Sequence, residues 1–435
     1  MRLRFQPGGL SFGRDFDRLW TAASVSYLGD GVSMAALPLL AASLTGNAAL
    51  VGLSGTVTSV PWLFLGLVSG TLVDRWDRLR VMWIVDGVRF LLVVALAVTV
   101  ATGHADIALL LGAGLMLGIG QTLFDTASQA TVPSLVAERG KKLEGANGRL
   151  SVSQTVGEQF AGPPAGGLLF AEAASAPLFA NAASFGISAL MIRKLALRRR
   201  AARTAMAPKP AVPAPRASMP HEIREGVAWL LRHRTMRVLA VTVGVVNLTY
   251  TAGSAVFVLY VRRELHLGPP AYGMLLAATA VGAVLGGLLV ERATRSLGPG
   301  RILSAALGLA TASRIGLALT HEVFAAAGAL LLGGMGITVF AVVSISFRQR
   351  LVPDRLQGRV LSAYRMIALS TEPLGGALGG ILVDRMGVRA PFLIGGGLLA
   401  LLTLVTIPLL SNRSLREAAE TEREEVARYE AGSQT

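Results

Sequence analysis

The chain has 435 residues, of which 52% are hydrophobic and 15% are charged, and its mean hydropathy is +0.57. These values exclude an ordinary soluble domain and, together with 50 glycines, are typical of closely packed membrane helices. The absence of cysteine excludes disulfides and thiolate chemistry, and all five histidines fall outside the apolar stretches, so we expect no metal site and no cofactor.

Twelve stretches are long enough to cross a bilayer, which needs about 20 mainly apolar residues per helix. The first half has them at 19–44, 49–73, 81–102, 107–131, 150–171 and 177–196. The second half has them at 238–261, 272–290, 301–320, 323–347, 361–383 and 391–410. The predicted domains are a cytoplasmic N-terminus (1–18), a six-helix bundle (19–196), a cytoplasmic linker (197–237), a second six-helix bundle (238–410) and a cytoplasmic tail (411–435).

The formal net charge of +15 has a topological explanation. With both termini in the cytoplasm, the predicted outer loops hold only Arg262, Arg263, Arg385 and Arg389, and most other basic residues fall on the cytoplasmic side. The charge therefore predicts no nucleic-acid partner. The Ala- and Arg-rich composition favours a bacterial source and so a multi-pass protein of the bacterial plasma (inner) membrane.

The linker changes composition abruptly. A Pro- and Ala-rich run at 207–215 predicts an extended segment. In the following stretch, His221 to Arg234, apolar residues recur on one helical stripe with charged residues opposite. This pattern predicts an amphipathic helix along the inner membrane surface.

The two halves carry signs of an internal repeat. A charged run at Gly70–Arg80, after the second predicted helix, has a weaker echo at Gly287–Arg292, after the eighth. The interval from Gly145 to Gly166 also equals that from Gly358 to Gly379. Two six-helix halves related by an axis along the membrane normal leave a cavity between them, which is an arrangement typical of transporters.

The first charged run reads Gly70-x-Leu72-x-Asp74-Arg75-x-x-Arg78-x-Arg80, with Asp86 and Arg89 beyond it. It resembles the loop signature of the major facilitator superfamily, and it is similar to the branch of enterobactin-exporter-like and macrolide-efflux-like proteins. Asp77 departs from the pattern, which usually has Gly there. The resemblance implies an all-α integral membrane protein with twelve helices in two pseudo-symmetric six-helix bundles.

The resemblance also implies a role for the run. In the superfamily the acid equivalent to Asp74 faces the N-terminus of helix eleven, and the arginines of the turn complete the network. The functional interpretation is a cytoplasmic latch that is intact in the outward-open state, formed by Gly70, Asp74, Arg75, Arg78 and Arg80, with Asp86 and Arg89 as its support. The alternative is a loop that only sets topology. A similar run at Asp384–Arg389 falls on the predicted outer side, and we assign it no role.

The fifth predicted helix contains Gly162, Pro163, Gly166 and Gly167. This run is similar to the Gly-Pro motif of superfamily antiporters, although the upstream Gly157 is one position out of register. Proline frees a backbone carbonyl and bends the helix, and glycines allow close helix approach. The alternative is ordinary packing of small residues.

Besides Asp86, four acids lie within predicted spans: Asp30, Glu158, Glu372 and Asp125. Along a helix rising about 1.5 Å per residue, Asp30 is roughly 18 Å beyond Arg18. An ionisable side chain at such depth costs several kcal/mol and faces a cavity or a partner. These acids could bind a proton and a cationic substrate in alternation, as antiport requires. The alternative is a structural ion pair with Arg314 or Arg365.

These features favour a secondary active transporter for proton-coupled efflux of hydrophobic or amphipathic small molecules, such as a drug, an antibiotic or a siderophore-like compound. An importer or facilitator for a nutrient or lysophospholipid and a non-transporting scaffold or sensor remain as alternatives. An enzyme is not expected, because the sequence has no phosphate-binding glycine loop, metal cluster or nucleophile–base pair with suitable spacing. We expect a monomer whose partners are a small-molecule substrate, protons and the lipid bilayer.

Overall fold

The computed structural model describes residues 12–62, 64–65, 76–136, 143–204, 228–230, 232–352 and 357–414, and these contain helices and turns without a β-strand. The helices of the first half are α1 (Arg14–Leu44), α2 (Ala48–Ser54), α3 (Arg78–Ala101), α4 (Ile107–Val136), α5 (Leu143–Gln154), α6 (Gly162–Glu172) and α7 (Ala176–Thr204). Those of the second half are α8 (Arg234–Ala255), α9 (Phe257–Arg263), α10 (Pro269–Leu297), α11 (Pro299–Leu319), α12 (Val323–Leu351), α13 (Gln357–Met386) and α14 (Ala390–Leu409). A 3₁₀ turn (Val57–Ser59) follows α2, and a π-helical turn (Thr155–Ala161) joins α5 to α6.

Within the described ranges, eight helices are individually long and apolar enough to cross a membrane: α1, α3, α4, α8, α10, α11, α12 and α14. The other four predicted spans fall on α2 with the partly described residues after it, on the α5–α6 segment that a π-helical turn interrupts, on α7 and on α13. The all-helical membrane fold is thus confirmed. The count of twelve spans stays a prediction.

α7 continues to Thr204, beyond residue 197, where the predicted linker starts. Its last turns carry Arg199, whose Nε lies 3.6 Å from the carboxylate of Asp15 at the start of α1. The Pro- and Ala-rich run and most of the predicted amphipathic helix lie outside the described residues. The basic run after residue 197 is therefore partly helix surface.

The two halves are joined at the predicted outer end. One hydrophobic cluster there contains side chains of both halves, including Leu40, Val51 and Leu96 with Tyr260 and Phe392. At the opposite end, each half has a separate cluster among the described residues. The main helix pairs between the halves are α2 with α13 and α6 with α10. In the part of the chain that can be described, the structure is therefore closed at the predicted outer end.

Equivalent glycines of the repeat lie at the two main helix pairs between the halves. A Cβ atom at Gly380 would lie 2.5 Å from the carbonyl oxygen of Ala48, the first residue of α2, and one at Gly167 would lie 3.1 Å from the carbonyl carbon of Pro269 in α10. Both positions therefore need glycine for the helices to approach this closely. The same repeat position thus closes both sides of the interface.

Two polar contacts reinforce this closure. The carboxylate of Asp384 accepts hydrogen bonds from the backbone N–H groups of Ala48 and Ala49 at 3.0 and 3.2 Å, at the start of α2. Arg262 Nη1 donates to the carbonyl oxygen of Ala42 in the last turn of α1, at 2.7 Å. A helix N-terminus is partly positive and a C-terminus partly negative, so both charges are favourably placed. Asp384, to which the sequence assigned no role, therefore joins the two halves.

We expect Asp384→Asn to shift the population toward an outer-open state, because Asn retains one acceptor oxygen for two N–H donors and loses the charge. Since Asp384 is exposed, solvent screening limits the effect to about 1 kcal/mol, or roughly a fivefold change in the population ratio. The chain has no cysteine, so spin labels on Ala173→Cys and Leu319→Cys can report the outer distance by pulsed electron paramagnetic resonance. Asp106→Asn is the control, because Asp106 caps α4 within one half. An unchanged distance distribution in Asp384→Asn would contradict the assignment.

Candidate functional site

A buried acidic cluster lies in the first half. It consists of Asp30 from α1, Asp86 and Arg89 from α3, Asp125 from α4 and Glu158 from the π-helical turn. Arg89 Nη2 donates to Asp30 Oδ1 at 2.5 Å and Nη1 donates to Asp86 Oδ1 at 3.4 Å. The side chain of Arg89 is 3% exposed, and those of Asp86 and Asp30 are 0% and 13% exposed. One guanidinium therefore stands among four carboxyl groups.

The ring of Phe185 on α7 packs against the guanidinium of Arg89, whose Cζ lies 3.9 Å from the ring centroid. This geometry allows a cation–π interaction that is stronger where water is excluded. Among the described residues, Oδ2 of Asp86 and Nε of Arg89 have no hydrogen-bond partner, although the Ser188 hydroxyl lies near Asp86. The cluster therefore keeps unused hydrogen-bonding capacity inside the bundle.

A cavity of about 250 Å³ adjoins the cluster. Asp30, Arg89 and Glu158 line it, and Asp86 and Asp125 are not on its wall. Pockets for drug-sized molecules measure roughly 300–1,000 Å³. This cavity is therefore large enough for a small molecule or for part of a larger one.

The Gly-Pro run of the fifth predicted helix places Glu158 beside this cavity. Pro163 and Pro164 lack the N–H that an α-helix would use, and the local ladder instead joins Gly162 N–H to the Gly157 carbonyl, five residues back. Glu158 lies in the resulting π-helical turn, and Gln154 Nε2 lies 3.2 and 3.3 Å from its two carboxylate oxygens.

Glycine contacts bring this turn against α1. A Cβ atom at Gly162 would lie 2.5 Å from Cα of Gly31, and one at Gly31 would lie 2.8 Å from Cα of Glu158. Gly166 makes a similar approach to Val32. The small residues of the run therefore have a packing role that also holds Glu158 near Asp30. Whether the run marks antiport stays a prediction.

The residues predicted to form the latch lie in different places. Gly70, Asp74 and Arg75 fall outside the described residues. Arg78 Nη1 donates to the Ala130 carbonyl on α4 at 2.6 Å, and Arg80 is exposed. Asp86 and Arg89, which the sequence assigned to support of the latch, lie in the acidic cluster, and their support of the latch stays a prediction.

Asp77, where the superfamily usually has Gly, caps α3. Its Oδ1 accepts a hydrogen bond from the backbone N–H of Arg80 at 3.1 Å. Aspartate is a favoured N-cap residue because it satisfies an N–H that has no partner within the helix. The departure from the superfamily pattern therefore has a local structural reason.

Glu372 occupies a different environment from its repeat equivalent Glu158. It lies on α13, which contacts the 3₁₀ turn of the first half, and its carboxyl group is near Ser59 of that turn. No ion pair joins it to Arg314 within the described ranges, and the side chain of Arg365 lies outside them. Glu372 therefore lies at the interface of the two halves, near the cavity wall that contains Ser59.

Sequence reasoning did not select two amides on the cavity wall, Gln121 and Asn181. Asn181 Nδ2 donates to Ser33 Oγ at 2.5 Å, which ties α7 to α1. An amide inside an apolar span was the available signal, because an uncharged polar side chain in a membrane helix also needs a partner. An amide within an apolar span is a weaker signal than a carboxylate, because its burial costs less free energy.

Comparison with known proteins agrees with this architecture. A family model described as transmembrane secretion effector matches residues 12–432. The multidrug efflux pump Tap of Mycobacterium tuberculosis is 29% identical over 391 residues, which cover 86% of this chain and 88% of that protein. The enterobactin exporter EntS of Shigella boydii is 26% identical over 416 residues, which cover 92% and 93% of the two chains.

Two solved structures show the same fold. The nucleoside transporter NupG superposes with a TM-score of 0.75 at 13% identity, covering 92% of this chain and 100% of that one. A bacterial homologue of the iron transporter ferroportin, in an inward-facing state, gives 0.71 at 18% identity and covers 92% and 99%.

The predicted family is confirmed by a family model that spans most of the chain. The protein is accordingly a multi-pass membrane transporter and not an enzyme. It belongs to the transmembrane secretion effector family of the major facilitator superfamily.

Proposed function

We propose that the protein exports hydrophobic or amphipathic small molecules in exchange for protons, by alternating access. The acidic cluster carries the proposal, because four carboxyl groups lie near one guanidinium, which contacts two of them, beside a cavity. Several buried negative charges with one cation are unfavourable, and binding of a proton or a cationic substrate relieves the repulsion. Competition between the two for the same carboxylates would couple their movements in opposite directions.

Export is supported by the relatives, which are named as a multidrug efflux pump and an enterobactin exporter. Alternating access is supported by contacts at one end of the interface and separate clusters at the other. We further propose a monomer in the bacterial inner membrane with both termini cytoplasmic, and a cytoplasmic latch that includes Gly70, Asp74 and Arg75.

Facilitated transport of a polar nutrient is the second candidate. It is favoured by the amides Gln121 and Asn181 and by the hydroxyl groups on the cavity wall. Such a carrier would equilibrate its substrate and would not need the acids for energy coupling.

Proteoliposomes with an imposed pH gradient test the proposal against a panel of fluorescent lipophilic compounds. We expect accumulation of at least one compound against its gradient, which a protonophore abolishes and an imposed sodium gradient does not replace. Equilibration without accumulation would favour the facilitator, and movement of no compound in any condition would favour a scaffold or sensor.

A further inference from the structure

Arg314 on α11 is a second buried arginine, and it lies in the other half of the protein. Only 7% of the residue is exposed. It lines a cavity of about 40 Å³ between α8, α10, α11, α12 and α14. Its Nη2 donates to the backbone carbonyl of Tyr250 at 3.3 Å, and its Cζ lies 5.2 Å from the Tyr250 ring centroid.

The charge of Arg314 has no carboxylate partner within 4 Å in the described part of the chain. In the predicted spans of the second half the only acid is Glu372, and no ion pair within 4 Å joins it to Arg314 among the described residues. Arg89, by contrast, contacts two carboxylates. A guanidinium has five N–H donors, and burying this charged group without an anion costs free energy. An anion from outside the protein would supply the missing partner.

The cavity has the chemistry of an oxyanion site. Ser254, Ser313, Thr249 and Thr279 place hydroxyl-bearing side chains on its wall, and Phe257 and Phe392 add apolar rings. Gly253 leaves room for the guanidinium, because a Cβ atom there would lie 2.6 Å from Arg314 Nη1.

The size of the cavity limits what it can hold. A single water needs roughly 10–15 Å³ by the same measure, so about 40 Å³ fits a small head group and not a whole amphipathic molecule. Tyr250 lines the cavity and is itself 36% exposed, so the remainder of a ligand can extend past this ring.

We propose that Arg314 forms a subsite for the carboxylate group of an amphipathic transported molecule, with the hydroxyl groups of Ser313 and Thr279 as additional donors. The subsite depends on the proposed function only in that its ligand is a substrate. The acidic cluster of the first half and the basic subsite of the second half would then receive groups of opposite charge.

Equilibrium binding to the purified full-length protein in neutral-lipid nanodiscs tests the subsite without any gradient. The probes are 1-naphthaleneacetate and its neutral analogue 1-naphthaleneacetamide at pH 7. We expect Arg314→Gln to weaken binding of the carboxylate about tenfold or more and binding of the amide less than twofold, because only the carboxylate pairs with the guanidinium. Arg314→Lys should retain part of the affinity for the carboxylate.

Arg301→Gln is the matched control, since Arg301 lies exposed at the start of the same helix. Unchanged amide binding shows that Arg314→Gln is folded. Equal carboxylate affinity in wild type and Arg314→Gln, or an equal loss for both probes, would overturn the subsite. A failure of gradient-driven transport with this binding difference intact would count against the proposed function and leave the subsite standing.

Discussion

Arg89→Gln is expected to abolish transport and to lower thermal stability. The substitution leaves Asp30 and Asp86 without the cation that contacts both, in a place where the Asp86 side chain is fully buried. Removing one member of a buried ion pair costs about 3–5 kcal/mol, mostly because the remaining charge stays desolvated. Transport in proteoliposomes should fall at least tenfold, and the unfolding temperature in detergent should decrease.

The double variant Arg89→Gln/Asp30→Asn separates these two effects. It removes a carboxylate that Arg89→Gln leaves unpaired, so it should recover part of the lost unfolding temperature and none of the transport. Lys194→Gln is the control, because Lys194 is an exposed cation on α7 of the same half. Wild-type stability and transport in Arg89→Gln would show that the ion pairs are dispensable.

Glu158→Gln is expected to uncouple substrate movement from the pH gradient. Gln has a similar shape and can still hydrogen-bond to Gln154, but it cannot exchange a proton with the cavity that Glu158 lines. Accumulation driven by the pH gradient should therefore fall at least tenfold. Exchange of labelled for unlabelled substrate, which needs no net proton movement, should persist near the wild-type rate.

Comparing these two assays in the same proteoliposomes makes the result specific. A variant that merely misfolds loses both activities, and a variant that loses the coupling group loses only the first. Glu172→Gln serves as the control, because Glu172 is exposed at the end of α6 in the same membrane segment. Gradient-driven accumulation at the wild-type level in Glu158→Gln would assign coupling to another acid, and Asp30 would be tested next.

The sequence predicted many individual residues of the candidate site. It did not predict which of these residues contact one another. Asp30 and Glu158 stood out because a carboxylate within an apolar span is costly wherever the helix packs. The sequence placed Arg89 with the latch because Asp86 is three residues away on the same helix, and such neighbours pair locally. The partner that decides its role, Asp30, lies on another helix.

The sequence by itself determined the helical membrane class, the repeat and the family, because the length of apolar runs and the spacing of charges are local properties of the chain. Only the tertiary structure decided that Arg89 contacts Asp30, that Asp384 fastens α2 across the interface and that Arg314 has no carboxylate within 4 Å in the described part. Each of these depends on how helices distant in sequence are rotated and tilted against one another. That arrangement is fixed by packing at glycines such as Gly31 and Gly380, where an added Cβ would separate the backbones.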